Sequence, residues 1–403
     1  MSKIIAFGDC MLHNTGYGRV SRNVLGYFVS KGHEVYQIAW NYSLPPNKIP
    51  IYKDGKELVG QVTLVPVHTN DQFATLTLIH YLNGFKPDFI YNSNDYFTIK
   101  GFFEQKNSWT HKAKVINYGI IDGPECAKVY KDIIDQVDYP VSPSKYGYNQ
   151  LMTYTGKGFY IPHGVDTGTY KPLPNKEQIK ASLGLKDKFV FGVVNRNIWR
   201  KMYPLLFRAY ANIKDKMKDS CLFLLCDPND AAGHALVYWM KHYGLTYSQE
   251  VNKPADVMFH PAYMNLLLNL SDEELCMAYN AFDVFVSTSM SEGFGLPTIE
   301  SQACGIPSIM PDNTANTELV KGHGWLYQTV KNKNGSPVIM PANIPSLGWV
   351  TYGYEMPDVD ALEECMLEAY NSPGKVAEYG LKSYNFATQY DWNIVLKGWD
   401  NIL

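Results

Sequence analysis

Residues Ser291 to Pro307 read SEGFGLPTIESQACGIP, with two carboxylates, Glu292 and Glu300, on either side of a glycine turn that opens a helix. The run before it, Phe282 to Thr288 (FDVFVST), has the β-branched and aromatic character of a short buried strand. Gly293 and Gly295 admit positive φ and a close ligand. Pro297 suits a first helical turn, because the N–H it lacks has no intrahelical partner there. The pattern predicts a helix starting near Pro297 and ending at Gly305, with Pro307 barring continuation into the apolar Ser308 to Met310. At about 1.5 Å of rise per residue, Glu300 stands about one turn inside that helix, so both carboxylates are expected to reach one ligand. A helix N-terminus offers unpaired N–H donors and roughly half a positive charge, a setting for an anion and most often for phosphate. Carboxylates accept from sugar and ribose hydroxyls, so the combination suggests a nucleotide sugar, its diphosphate on the helix and its hydroxyls on the acids. The competing reading is an ordinary strand-to-helix turn with solvated glutamates.

Outward from this stretch the chain alternates strand and helix. Lys3 to Gly8 reads as a buried strand, Val20 to Lys31 as a helix and Glu34 to Ala39 as a second strand, an initial βαβ unit. Further strands are expected at Phe89 to Asn92 and Lys114 to Tyr118, with a helix at Ala74 to Asn83. After a junction around Ile161 to Pro174 the pattern restarts with strand Phe189 to Val194, helix Tyr203 to Lys216, strand Cys221 to Cys226 and helix Ala231 to His242. Such alternation implies mostly parallel sheets covered by helices. Ser271 with Glu274 three residues on is a capping box for a helix through Tyr279. Lys331 to Pro357, rich in Asn, Gly, Pro and Tyr, reads as a long loop, either an acceptor- or partner-facing insertion or a plain surface elaboration. A helix over Asp358 to Asn371 follows it.

The string Glu292 to Ile309, EGFGLPTIESQACGIPSI, resembles the Glu-x7-Glu motif of retaining glycosyltransferases of the GT-B fold, the group 1 or family 4 type that includes sucrose synthases and bacterial glycan mannosyl- and glucosyltransferases. Met1 to Val35 resembles that group's opening strand, glycine loop and helix. Tyr160 to Pro172 (YIPHGVDTGTYKP) resembles its domain-junction signature, and Phe191 to Lys201 (FGVVNRNIWRK) its diphosphate-binding strand and loop. The resemblance implies an α/β fold of two Rossmann-like domains facing a central cleft. Residues 1–170 would form the acceptor-side domain and 171–378 the nucleotide-sugar domain, with a C-terminal helix in 379–403 crossing back to the first.

It also implies roles. Arg196 and Lys201 have the spacing of the family's Arg-x4-Lys clamp on the donor diphosphate, and Arg200 is a further candidate. Fixed cations there would favour the transition state, in which the leaving diphosphate gains charge. Glu300 is expected on the ribose hydroxyls and Glu292 on the donor sugar, with backbone N–H groups from Gly293, Phe294, Gly295 and Leu296. Gly16, Tyr17 and Gly18, in TGYG after the first strand, resemble the glycine loop that approaches the donor phosphates. Retention in this fold is thought to proceed by front-face attack, with the leaving phosphate helping to deprotonate the acceptor, so no protein nucleophile is required. Many relatives carry a histidine at the end of a first-domain strand. Here the corresponding segment, Val115 to Pro124, has none. Asp122 is the nearest polar candidate, to orient a hydroxyl, although Asp-Gly-Pro is also a turn signal. His163 reads as a junction residue bonded to backbone, and Asn94 and Asp95 as weaker candidates.

Composition bounds the rest. At 403 residues the chain suggests two domains, and 46% hydrophobic residues suffice for their cores. No apolar run is long enough to span a membrane, and Met1 to Gly8 lacks signal-peptide character, so a cytoplasmic location is expected. Seven scattered cysteines read as reduced core residues, and Cys221 with Cys226 lacks the second pair a zinc site needs. A net charge of −3 gives no global attraction to nucleic acid or anionic membrane. The only Asp-x-Asp, Asp358 to Asp360, opens a helical pattern in which Asp358 reads as an N-cap, so neither metal nor cofactor is expected beyond the nucleotide sugar, UDP- or GDP-linked, as co-substrate.

Two other function classes compete. A nicotinamide oxidoreductase predicts G-x-G-x-x-G with an acid about 20 residues later, whereas Gly16 and Gly18 are followed by Asn23 and have no third glycine at the right offset. A non-catalytic carbohydrate-binding module has no need of the Arg, Lys and double-Glu set. The acceptor, expected to lie on loops Trp40 to Val59 and Asp95 to Thr110, is open: a glycan or polysaccharide, a lipid-linked glycan, a small metabolite, or a modified DNA base as the one role for nucleic acid. Oligomeric state is unspecified.

Overall fold

The structure is a computed structural model that describes residues 1–53, 57–67, 71–250, 253–260, 270–344 and 348–403. It divides into two compact units, one made of residues 1–164, 342–352 and 392–403, the other of 165–341 and 353–391.

The first unit is built on an eight-stranded sheet. Its strands are β1 (Lys3–Asp9), β2 (Glu34–Trp40), β3 (Asn47–Lys53), β4 (Glu57–Pro66), β5 (Phe89–Asn92), β6 (Lys114–Tyr118), β7 (Tyr139–Ser142) and β8 (Phe159–Tyr160). Their order is β3-β4-β2-β1-β5-β6-β7-β8, parallel except for the antiparallel β3–β4 pair. β1 is buried along Ile4, Ile5, Ala6 and Phe7, as a strand covered on both faces must be. The chain fills one side of β1 and then the other, so the sheet reverses its winding between β1 and β5, where open α/β sheets place ligands.

The second unit carries seven parallel strands in the order β11-β12-β10-β9-β13-β14-β15. They are β9 (Phe189–Val194), β10 (Ser220–Leu225), β11 (Tyr247–Ser248), β12 (Val257–Phe259), β13 (Val284–Val286), β14 (Ser308–Pro311) and β15 (Trp325–Tyr327). Alternate residues of β9 feed separate cores. Val190 and Val194 join Phe282, Ile299 and Tyr279, whereas Phe191 and Val193 join Phe207, Tyr210 and Met366. A Cβ on Gly192 would stand 2.1 Å from the Phe282 ring, so only glycine lets that ring close against the strand.

Two helix starts stand where the sequence puts them, whereas the helix expected from Ala231 begins at Leu236. Ser271 and Glu274 form the reciprocal capping box on Asp272–Asn280. Asp358 caps Val359–Asn371, accepting from Asp360 N–H at 3.0 Å and Ala361 N–H at 3.2 Å. Two further expectations change. Lys331 to Pro357 contains the paired strands β16 (Ile339–Ile344) and β17 (Gly348–Glu355) rather than a structureless loop, with 345–347 outside the described residues. Backbone pairing satisfies N–H and C=O groups that a loop of this length would leave to solvent. The helix Pro373–Ala387 runs through the expected boundary at 379 and lies in the second unit, and the chain returns to the first unit at Trp392. Trp399, 1% exposed, then meets the Phe28, Tyr91 and Tyr118 rings edge-on at 5.1 to 5.6 Å.

All seven cysteines are free, six of them buried. Among the described residues no helix is long and apolar enough to cross a membrane.

Candidate functional site

The carboxyl ends of β9 and β13 lead into a buried charged cluster. β13 is shorter than the predicted Phe282 to Thr288: Ser287 N–H still reaches Ile309 O of β14 at 3.1 Å, but from Thr288 the chain is tied to the loop after β9. Met290 N–H donates to Arg200 O at 2.9 Å, and Thr288 Oγ1 to Lys201 O at 2.8 Å. The turn Trp199–Lys201 thereby delivers two cations to Glu292. The Lys201 ammonium donates to Glu292 Oε1, and Arg200 Nη1 stands 3.5 Å from Oε2. Lys201 and Glu292 are each 8% exposed. Burial alone pushes the Glu292 carboxyl up, but Lys201 and Arg200 more than reverse it and hold the group below its ordinary range. Glu292 is therefore a buried anion with a fixed cationic neighbourhood.

The helix after the glycine turn runs Leu296–Ala303, with Gly295 at φ 109° before it and Pro297 in its first turn. It ends as predicted at Gly305, φ 74°. Glu300, 4% exposed, accepts from the Tyr279 hydroxyl at 2.8 Å. The two carboxylates thus have separate anchors, cations for Glu292 and a phenol from the neighbouring helix for Glu300. Phe294 is buried, its ring centroid 6.0 Å from that of Tyr390, and Gly293 is buried beside it.

Arg196 stands apart from the Lys201 pairing. Its Nε donates to Asp230 Oδ2 at 2.6 Å and its Nη2 to Oδ1 at 3.2 Å, a bidentate pair on an otherwise exposed side chain. That bond raises the guanidinium above its ordinary value and lowers Asp230 below the usual carboxylate range. Next to it Asn197 donates to His234 O and accepts from His234 N–H, and a Cβ on Gly233 would strike the Asn197 carbonyl at 2.1 Å. The loop after β9 is therefore locked to the loop after β10. The structure brings Arg200, Lys201 and Glu292 together and gives Arg196 to Asp230.

In the first unit, Gly16, Tyr17 and Gly18 are the opening turn of the helix Gly16–Ser30 rather than a separate loop. Thr15 caps it, accepting from Gly18 N–H at 3.0 Å. The chain after β1 folds back so tightly that a Cβ on Gly18 would meet His13 O at 2.3 Å. Tyr17 donates to Asp95 Oδ1 at 3.4 Å, and Asn94 is buried against Gly8 at the β1–β5 switch. Asp122 is half-buried in the turn that follows β6. His163 is buried, its Nδ1 2.8 Å from the Tyr118 hydroxyl, which donates to Ile161 O at 2.8 Å. The phenol proton is committed to the carbonyl, so the imidazole is the donor between the two. Burial lowers its pKa to about 3, so it stays neutral. Its Nδ1 thus meets a phenol, where its sequence context suggests a bond to backbone.

Sequence reading missed the partners: Tyr279, Asp230, and Thr314, which receives the Glu292 N–H at 3.0 Å. Each lies on a different element from the residue it holds. A signal existed only for Thr314, in the Asp312-Asn313-Thr314 turn directly after a strand.

Residues 175–334 match the family model described as Glycosyl transferases group 1. The chain is 30% identical over 174 residues to the UDP-Gal:alpha-D-GlcNAc-diphosphoundecaprenol alpha-1,3-galactosyltransferase of Escherichia coli, covering 42% of this chain and 40% of that protein. It is 31% identical over 170 residues to the lipopolysaccharide core biosynthesis mannosyltransferase LpsB of Rhizobium meliloti (strain 1021), covering 40% and 42%. The matched part thus spans less than half the length of these curated relatives. Over the whole chain the fold is that of a sucrose-phosphate synthase from Thermosynechococcus elongatus, with a TM-score of 0.73 at 15% identity covering 100% and 98% of the two chains. Anabaena Alr3699/HepE, solved in complex with UDP and glucose, superposes with a TM-score of 0.69 at 15% identity, covering 100% and 99%. The fold is GT-B.

Proposed function

We propose that this chain, a GT-B protein whose residues 175–334 match the glycosyl transferases group 1 model, moves a sugar from a UDP- or GDP-sugar to an acceptor hydroxyl with retention and without a metal. The observation that carries this reading is the convergence of Lys201 and Arg200 on the buried Glu292 at a glycine turn that opens a helix. Two of the matched relatives are named as a galactosyl- and a mannosyltransferase, which supports the same class.

In this reading the donor diphosphate lies against Lys201, Arg200 and the N–H groups of Gly293 to Leu296. Glu292, held ionised, accepts a hydroxyl of the donor sugar, and Glu300, steadied by Tyr279, accepts the ribose hydroxyls. As the glycosidic bond breaks, the departing diphosphate gains charge against cations already fixed in place, so the barrier falls without reorganisation. A phosphate oxygen takes the acceptor proton on the same face. Arg196 adds a further cation to the leaving group, oriented by Asp230. Gly16, Tyr17 and Gly18 serve as backbone that approaches phosphate, and Asp122 as a partner for an acceptor hydroxyl. A glycan or polysaccharide is the acceptor class proposed. The free cysteines support a reducing, cytoplasmic setting.

The test is incubation with a panel of UDP- and GDP-sugars, with and without EDTA, reading donor hydrolysis or transfer and the anomeric configuration of the product by proton NMR. Release of the retained anomer, lost in Glu292→Ala and unaffected by EDTA, is expected. Inertness toward every donor, or an inverted product, sinks the reading.

A further inference from the structure

Glu292 is held at two ends, and only one of them uses its charge. Its carboxylate faces Lys201 and Arg200. Its backbone is gripped separately: the N–H donates to Thr314 Oγ1 at 3.0 Å, and the carbonyl accepts from Ala315 N–H at 3.3 Å. Thr314 is 7% exposed and has φ 43°, the left-handed region that β-branched residues rarely enter. Its neighbours hold it there. The Thr314 hydroxyl donates to Asn313 Oδ1 at 3.3 Å, Asn316 donates to the same oxygen at 2.9 Å, and Asn313 Nδ2 donates to Met290 O at 2.9 Å. None of these bonds uses a cation, although the Arg200 guanidinium donates to the neighbouring Ser291 carbonyl.

The asymmetry has a chemical use. A diphosphate that engages Lys201 and Arg200 gives those cations a second anion to satisfy, so they no longer fix the carboxylate alone. The bonds that Thr314 and Ala315 make to the Glu292 backbone involve neither cation, so they do not compete with the diphosphate. We propose that Thr314 is the positioning residue of Glu292, its strained backbone maintained because the hydroxyl it presents sets where the carboxylate stands once the donor is bound. The proposal rests on the role given to Glu292 above. Strained residues that persist at a site are held by what surrounds them, and here the surroundings are the Asn313 and Asn316 amides.

The experiment compares Thr314→Gly with Thr314→Ser. Glycine relieves the strain and removes the hydroxyl, whereas serine keeps the hydroxyl. For Thr314→Gly the expected results are a melting temperature no lower than that of the wild type, hydrogen exchange at the Glu292 amide at least about tenfold faster, and kcat down about 10- to 100-fold with donor KM changed by less than about threefold. Thr314→Ser is expected to keep both kcat and amide protection within about twofold. A glycine variant with wild-type kcat and wild-type protection overturns the proposal. So does a serine variant as impaired as glycine, since side-chain packing would then explain both. If the wild type acts on no nucleotide sugar but glycine still exposes the Glu292 amide, the transferase reading fails while the anchoring stands.

Discussion

The Tyr279 hydroxyl lies 2.8 Å from Glu300 Oε2, a phenol donating to a carboxylate between the helices Asp272–Asn280 and Leu296–Ala303, with both side chains buried. Tyr279→Phe keeps the ring in the core and removes one donor from a buried acceptor, a loss of about 1 to 3 kcal/mol of stability. If Glu300 receives the ribose, the variant also weakens UDP or GDP while leaving a 2′,3′-dideoxy analogue nearly unaffected. Calorimetric titration of the two nucleotides distinguishes the outcomes, and equal weakening of both would remove Glu300 from the ribose.

Lys201→Met leaves Glu292 buried with Arg200 as its remaining cation. Breaking a buried pair from one side costs about 3 to 5 kcal/mol, toward the lower end here because Arg200 stays. The folded-state pKa of Glu292 is depressed, so the pair's contribution is present above the ordinary carboxylate range and disappears as pH falls through the folded value. Urea denaturation of wild type and variant at pH 7 and again in acid is expected to show a difference that narrows in acid. A difference below about 1 kcal/mol at pH 7 would mean that the pair holds nothing.

Arg196→Ala separates stability from binding. The Arg196 side chain is 69% exposed, and exposed ion pairs contribute about 0 to 1 kcal/mol, so unfolding hardly changes. Donor affinity is expected to fall about tenfold, the loss of one charge-assisted phosphate contact. Wild-type affinity in the variant would assign Arg196 to the loop lock with Asp230 alone.

His163 gives a pH signature of opposite origin to that of Glu292. Its folded pKa is about 3 against about 6.5 unfolded, so below about 6.5 the unfolded chain takes a proton the folded chain refuses. Stability is lost as pH falls, at about 1.4 kcal/mol per unit. His260 and His323 are lowered in the same way, which makes the comparison with a variant the informative measurement. Between pH 7 and 4.5 the wild type should lose about 2 to 3 kcal/mol more than His163→Gln in chemical denaturation. Parallel profiles would contradict the buried neutral imidazole.

The parts of the fold that were legible are those written in local chemistry. Ser271 with Glu274, Asp358 before its helix, and Gly295, Pro297, Gly305 and Pro307 around Glu300 each fix a helix end through one or two residues, and those ends stand where the sequence puts them. Lys331 to Pro357 misled because Asn, Gly, Pro and Tyr suggest loops, while pairing depends on a partner strand that composition does not reveal. For the candidate site, the sequence indicated Glu292, Glu300, Arg200 and Lys201 but not how they are shared. The Arg196 to Asp230 bond joins residues 34 apart, and Tyr279 reaches Glu300 over 21. Such bonds depend on helix packing and on the meeting of two loops, and no local pattern encodes either.

Trp399 closes the aromatic core of the first unit although it is translated after every residue of the second. A ribosome therefore releases β1 to β8 with the Phe28, Tyr91 and Tyr118 rings still missing their fourth member, and completes the whole second unit before supplying it. The half made first is the half finished last, so a nascent chain carries an unsealed apolar seam through most of its synthesis, the kind of surface chaperones bind.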